Sequence, residues 1–172
     1  MKTPSHFRTL TLCLALASAG HFTVFADDQP GKPKRPPIYD TKADGAKQIT
    51  EALAVAKREH KNVLLQFGAN WCGWCHKLHA LSKSDKDIAE FLKANFVLVL
   101  VDVDKVDGKP HNAETDQRYG NPSSLGLPAL VVLDADGKQL TTQDSGKLEE
   151  GDHHDPAKVM KFLKAWAPKK RA

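Results

Sequence analysis

The residue types best suited to chemistry in this chain are two cysteines two residues apart, in Trp71-Cys72-Gly73-Trp74-Cys75-His76. A pair at this spacing can close and open a disulfide, passing two electrons to or from another dithiol. Its third companion, Cys13, lies in an N-terminal segment that export would remove, so Cys72 and Cys75 have only each other. A loop this small gains little from chain-entropy stapling, which weighs against a purely structural bond. If Cys72 stands at the start of a helix, the helix dipole and its free N–H groups stabilise the thiolate, and Cys72 becomes the better nucleophile. Two other sites fit the same letters. Cys-x-x-Cys-His is the attachment pattern of a c-type haem, and Cys72, Cys75, His76 and His79 are all zinc-ligand types. Context weighs against both: the methionines are Met1, in the N-terminal segment, and Met160, near the C-terminus, and four zinc ligands would crowd into eight residues of one helical start.

The neighbouring segments supply the elements that such a pair needs. Residues 63–67 form a short apolar run that stops at Gly68-Ala69-Asn70, and 96–103 is a second run rich in β-branched residues; both read as buried strands. Between them, 72–81 and 85–94 read as helices, the latter with Ile88, Phe91 and Leu92 on one face. Two helices between two strands call for a parallel crossover. Before them, 46–60 carries Ile49, Leu53 and Ala56 at helical spacing behind a capping Asp44. Residues 104–127 are polar and turn-rich, with a short helix expected around 113–119. Then 129–133 and 138–142 flank Asp136-Gly137, a hairpin signal, and Asp155-Pro156 opens a helix with a Val159, Phe162, Leu163, Trp166 stripe.

The ends of the chain point to export. Lys2 and Arg8 precede a short apolar run over 10–19, and Val24-Phe25-Ala26 has the small-residue pattern of a cleavage site, so residues 1–26 read as a signal peptide. Residues 27–37 hold four prolines and read as an extended linker, 38–168 as the folded domain and 169–172 as a basic tail. The 172 residues carry a net charge of +4, and removing Lys2 and Arg8 leaves +2 on 146 residues, a length for one domain. Much of the excess base lies in the tails, which argues against nucleic-acid binding through a basic face. No stretch after the signal approaches the length of a membrane span, so no stable membrane insertion is expected once it is cleaved.

Two stretches together resemble the thioredoxin superfamily over most of residues 44–167. Leu64-Leu65-Gln66-Phe67-Gly68-Ala69-Asn70-Trp71 running into Cys72-Gly73-Trp74-Cys75-His76-Lys77-Leu78 is similar to its strand–CxxC–helix, and Gly126-Leu127-Pro128-Ala129 followed by Leu130–Leu133 to its Gly-Ile-Pro-Thr loop. The resemblance implies an α/β, thioredoxin-like fold: a central mixed sheet with helices on both faces. It also implies Cys72 as attacking thiolate, Cys75 as resolving thiol and Pro128 as a cis-proline beside the disulfide, with Trp71, Trp74, Leu127 and Pro128 on the substrate-binding side. The implied activity is that of a periplasmic or secreted thiol:disulfide oxidoreductase. It would use no cofactor beyond the Cys72–Cys75 disulfide and no metal, act as a monomer, and exchange with protein thiols and disulfides and with an unidentified redox partner. The rival is a binding or chaperone module with a non-catalytic disulfide.

Two departures stand out. The buried acid of thioredoxins proper, six residues before the first cysteine, is Gln66 here, so another group must take the proton from Cys75. The dipeptide between the cysteines is Gly-Trp instead of Gly-Pro. Residues 105–125 also read as an insertion near the active face. Other features have bland readings: Asp102 to Gly108 as a strand end and turn rather than a calcium loop, His153-His154-Asp155 as a solvated helix cap, and Trp166 as core, while Trp71 is expected to cover the disulfide.

Overall fold

The computed structural model describes residues 35–169, and the folded unit runs from Pro36 onward. The signal-peptide reading, Cys13, most of the proline-rich segment and the last three residues lie outside the described residues.

Helix α1 (Gly45–Glu59) is capped by the Asp44 carboxylate, which accepts from the Lys47 N–H at 3.1 Å, and it ends on left-handed His60. Strand β1 (Asn62–Gly68) is buried along its whole length. Helices α2 (Gly73–Ser84) and α3 (Lys86–Asn95) follow, joined at Asp85, whose N–H closes α2 onto the Leu81 carbonyl while its carboxylate accepts from Ile88 N–H at 3.0 Å to open α3. One residue thus stops one helix and starts the next. Strand β2 (Phe96–Asp102) returns parallel to β1, with Gly68 paired to Asp102.

The polar stretch after β2 is ordered into a small hairpin, β3 (Lys105–Val106) and β4 (Lys109–Pro110), helix α4 (Ala113–Arg118) and a 3₁₀ turn over Pro122–Leu125. Strands β5 (Ala129–Leu133) and β6 (Gln139–Asp144) make the Asp-Gly hairpin, with a bulge at Val132/Leu133. The hairpin β7 (Glu149–Glu150) and β8 (His153–His154) and helix α5 (Pro156–Trp166), capped by Asp155, complete the chain.

The sheet runs in the order β2-β1-β5-β6, with β1 parallel to β2 and antiparallel to β5. Alternation along β1 sends Val63, Leu65 and Phe67 to the α1 face, where Ile49, Ala52 and Ala56 meet them. Leu64, Leu130 and Val132 point to the opposite face, against Leu78 of α2, Ile88 and Leu92 of α3, and Val159, Phe162 and Leu163 of α5. Trp166 packs at the margin of this second core. The expected mixed sheet with helices on both faces is what forms. One expectation is corrected: β2 is an edge strand, with Leu98 exposed, and is not buried on both sides as its apolar run suggested. An uninterrupted β-branched run does not distinguish an edge from a centre when one face is fully covered.

Candidate active site

Strand β1 ends at Gly68, the chain turns through Ala69 to Trp71, and Cys72 becomes the N-cap of α2 in extended geometry. Cys72 and Cys75 are joined in a disulfide with their Cα atoms 5.3 Å apart. The Cys72 Sγ accepts from the Cys75 N–H at 3.0 Å, so the sulfur occupies the place of a capping oxygen and faces the free N–H groups of the helix start. A thiolate on Cys72 is stabilised there by the helix start. Cys72 is 4 % exposed and Cys75 fully buried, which separates the sulfur a partner can approach from the one it cannot.

Asn70 holds this turn against the N-terminal segment. Its Oδ1 accepts from the Ile38 and Tyr39 N–H groups at 2.8 and 2.9 Å, its Nδ2 donates to the Tyr39 carbonyl, and His76 Nε2 donates to the Asn70 carbonyl at 2.8 Å. Tyr39 is thereby fixed beneath the disulfide, in one cluster with Cys72 and Cys75. Its hydroxyl accepts from the Gln66 amide at 2.8 Å. Burial pushes the Tyr39 hydroxyl well above its ordinary range; the Gln66 hydrogen bond opposes that shift and the Asp102 carboxylate adds to it. Gly68 leaves the room for this contact: a Cβ there would overlap the Tyr39 ring and hydroxyl and stand 2.7 Å from Cys75 Sγ. Asp102, the strand partner of Gly68, is buried, with Oδ2 accepting from His111 Nδ1 at 2.9 Å.

The other flank is aromatic. Trp74 is half-buried against the disulfide cluster, edge-on to His154 at 5.3 Å between centroids, with Lys77 Nζ 4.3 Å above its ring. The Lys77 ammonium also donates to the Asp152 carbonyl. His154 is fully buried, and neither ring nitrogen has a hydrogen-bond partner; burial first, then the charges of Lys77 and His153, hold its pKa down to about 4. Leu127 packs on the same cluster, and buried Pro128, joined to it by a cis bond, sits just beyond the β1–β5 pairing that ends at Phe67 and Ala129.

The sequence-derived site residues therefore fall into two groups. Cys72, Cys75, Trp74 and Leu127 share one cluster, while Trp71 stands 64 % exposed with its Nε1 donating to Asp104 at 2.8 Å. The tryptophan packed on the disulfide is Trp74, because a turn residue before the helix points outward and a first-turn residue points along it. The cysteines ligate each other, and His76 is committed to the turn. Asp155 is the helix cap expected, but His154 is buried rather than solvated, because β7–β8 folds back over α2. Sequence reasoning misses Tyr39 and reads Asp102 only as a strand end. Tyr39 had one available signal, an Ile-Tyr pair standing alone between a proline-rich stretch and the first helix.

The chain matches the family described as thioredoxin-like domain over residues 49–149. It is 33 % identical over 96 residues to disulfide bond reductase DsbH of Chlamydia pneumoniae, a match covering 52 % of this chain and 56 % of that protein. It is 30 % identical over 96 residues to thiol:disulfide interchange protein DsbD of Colwellia psychrerythraea, covering 56 % of this chain and 15 % of the relative. The chain thus spans about half the length of the first relative and a small part of the second. Among solved structures it is similar to a disulphide isomerase from Xylella fastidiosa Temecula1, with 35 % identity, a TM-score of 0.66, and coverage of 76 % of this chain and 96 % of that one. A family match of that length takes in β1, the cysteine motif and the Leu127–Pro128 loop together, and the chain belongs to the thioredoxin superfamily as a thioredoxin-like domain protein.

Proposed function

We propose that the protein is an exported thiol:disulfide oxidoreductase that exchanges disulfides with protein substrates through Cys72 and Cys75. The observation that carries this reading is the placement of Cys72 Sγ as the cap of α2, with Cys75 buried one turn behind it. In the reducing direction the Cys72 thiolate attacks a substrate disulfide, forming a mixed disulfide and releasing one substrate thiolate. Cys75 then attacks Cys72 Sγ, closing the Cys72–Cys75 bond as the second substrate thiolate leaves, so two electrons pass to the substrate. Trp74 and Leu127 pack in the cluster that holds the sulfurs, and in this reading they, with Pro128 after Leu127 and the exposed Trp71 ring, give an extended substrate an apolar seat.

Relatives named as a reductase, an interchange protein and an isomerase support the reaction class, and the reduction potential of the pair decides the direction. Export to the periplasm or beyond rests on residues 1–26, and action as a monomer is part of the same reading. Among the described residues no helix is long and apolar enough to cross a membrane.

The test is turnover of a protein disulfide by cysteine variants. Cys72→Ser is expected to lose reduction altogether, while Cys75→Ser keeps a nucleophile and accumulates mixed disulfides. Equal and substantial turnover in both variants would instead favour a binding module with an inert disulfide.

A further inference from the structure

The proposed reaction leaves one proton without an acceptor. When Cys75 resolves the mixed disulfide its thiol must be deprotonated, and Cys75 is fully buried. Gln66, on the sheet face toward the motif, carries an amide that cannot take a proton, and it is already spent on the Tyr39 hydroxyl.

Asp102 stands on the same side of the sheet. Laterally paired residues of neighbouring strands direct their side chains to one face, and Asp102 is paired with Gly68. The absent side chain of Gly68 points at the Tyr39 hydroxyl and Cys75 Sγ. Asp102 is 1 % exposed; His111 donates to Oδ2, and Oδ1 is a buried acceptor with no hydrogen-bond partner among the described residues. A buried carboxylate oxygen left open is costly unless something uses it. Tyr39, whose oxygen accepts from Gln66, must turn its own O–H away from that amide, and its hydroxyl remains protonated because burial and Asp102 both oppose the phenolate.

We infer that Asp102 accepts the proton released by Cys75 during resolution, and that the Tyr39 hydroxyl, oriented by Gln66, carries it between them. In the oxidised form Tyr39 is not hydrogen-bonded to Oδ1, so the relay requires the two to close on each other when Cys75 is reduced; in the balanced step the S–H proton then passes to the Tyr39 oxygen as the Tyr39 proton passes to Asp102 Oδ1. Cys75 sulfur bonds to Cys72 sulfur, and the bond from Cys72 to the substrate sulfur breaks, with its electron pair leaving on the substrate thiolate. Tyr39 ends as it began. Of the other titratable groups around the motif, His76 is engaged with the Asn70 carbonyl, Lys77 with the Asp152 carbonyl and the Trp74 ring, and Asp104 with Trp71. His79, four residues after Cys75 on α2, has instead a buried Nδ1 with no hydrogen-bond partner among the described residues, so His79→Gln is the control that must keep the wild-type second release in the assay below.

This inference rests on the oxidoreductase reading, and one experiment separates the two. The reduced protein is mixed with dithiobis(nitrobenzoate), which releases one chromophore when Cys72 attacks and a second when Cys75 resolves. Asp102→Asn is expected to slow the second release relative to the first by on the order of 100-fold near neutral pH, the lower range for loss of a positioned proton acceptor. The residual second release should rise about tenfold per pH unit, because the thiolate must then form by hydroxide. Tyr39→Phe, which removes only the hydroxyl, is expected to show the same selective slowing and stands in if Asp102→Asn does not fold; Asp102→Glu is expected to restore much of the rate. A second release with the wild-type rate and pH profile in Asp102→Asn, or in Tyr39→Phe, overturns the inference. Absence of the first release from the wild-type protein at neutral pH overturns the oxidoreductase reading itself.

Discussion

The two flanks of the disulfide are both buried, yet they spend that burial differently. Beneath Cys75 lies a polar floor of two hydrogen-bonded pairs, Gln66 with Tyr39 and His111 with Asp102. Beside Trp74, His154 is equally enclosed, but its ring nitrogens make no hydrogen bond, and its neighbours are an aromatic edge, a lysine and the Glu149 carboxylate, 3.8 Å from Nε2. Burial keeps the proton on Tyr39 and off His154, so both groups are neutral at pH 7. The lesson is that the sulfur of Cys72 faces the start of α2, while floor and wall set the polarity around it.

The sharpest way to break the floor is to fill its gap. Gly68→Ala places a methyl group against the Tyr39 ring, hydroxyl and Cys75 Sγ at once, and it is expected to cost about 3 kcal/mol or more, the upper range for overpacking a core. Denaturant unfolding of the oxidised protein measures it, and a loss under about 1 kcal/mol would mean that Tyr39 yields easily and the floor is soft.

The wall is probed by acid. His154 has an ordinary value of 6.5 and a folded value of about 4, so between those limits the unfolded chain binds the extra proton. Stability is therefore complete above about pH 6.5 and falls as the pH drops towards 4, by up to about 3 kcal/mol. His154→Gln should remove that component of the pH dependence, and unfolding curves across the window compare the two proteins. An unchanged slope would show that the imidazole finds a partner when charged.

A smaller effect is expected from making the floor more acidic. Gln66→Asp puts a carboxyl group in a site 2 % exposed, beside a tyrosine hydroxyl, at a cost of about 1–3 kcal/mol. It should also add a carboxylate step to the pH profile of thiol alkylation, since the new group faces the cluster that holds Cys75. Superimposable profiles from the two proteins would show that this position is electrically remote from the sulfurs.

The legible parts of the molecule were those with local signals. Strand β1, the cysteine motif at the start of α2, the Asp-Gly hairpin and the Asp155 cap each announce themselves within a few residues, and all lie within about two residues of their expected bounds. The floor had no such signal: Tyr39 reaches the site through Asn70, 31 residues away, and Asp102 looked like the last residue of a strand. The wall depended on β7 and β8, two residues each, too short for any periodicity to show. Nothing nearby in sequence covers His154, so its sequence context alone gives a solvated residue.

Asn112 gives the segment after β2 a character that its polar composition does not suggest. In left-handed geometry it accepts from the Gly45 N–H at 2.8 Å and donates to the carbonyls of Ala43 and Asp102. Gly45 in turn has no space for a side chain larger than hydrogen without pressing on Asn112 and Val101. The start of α1, the end of β2 and the loop after β2 are thus tied at a single amide, which couples the opening of all three. Slow amide exchange at Gly45 and resistance of residues 111–113 to proteolytic nicking are the behaviour of such a cooperative unit, in a stretch whose turn-rich sequence would otherwise mark it as the easiest place to cut.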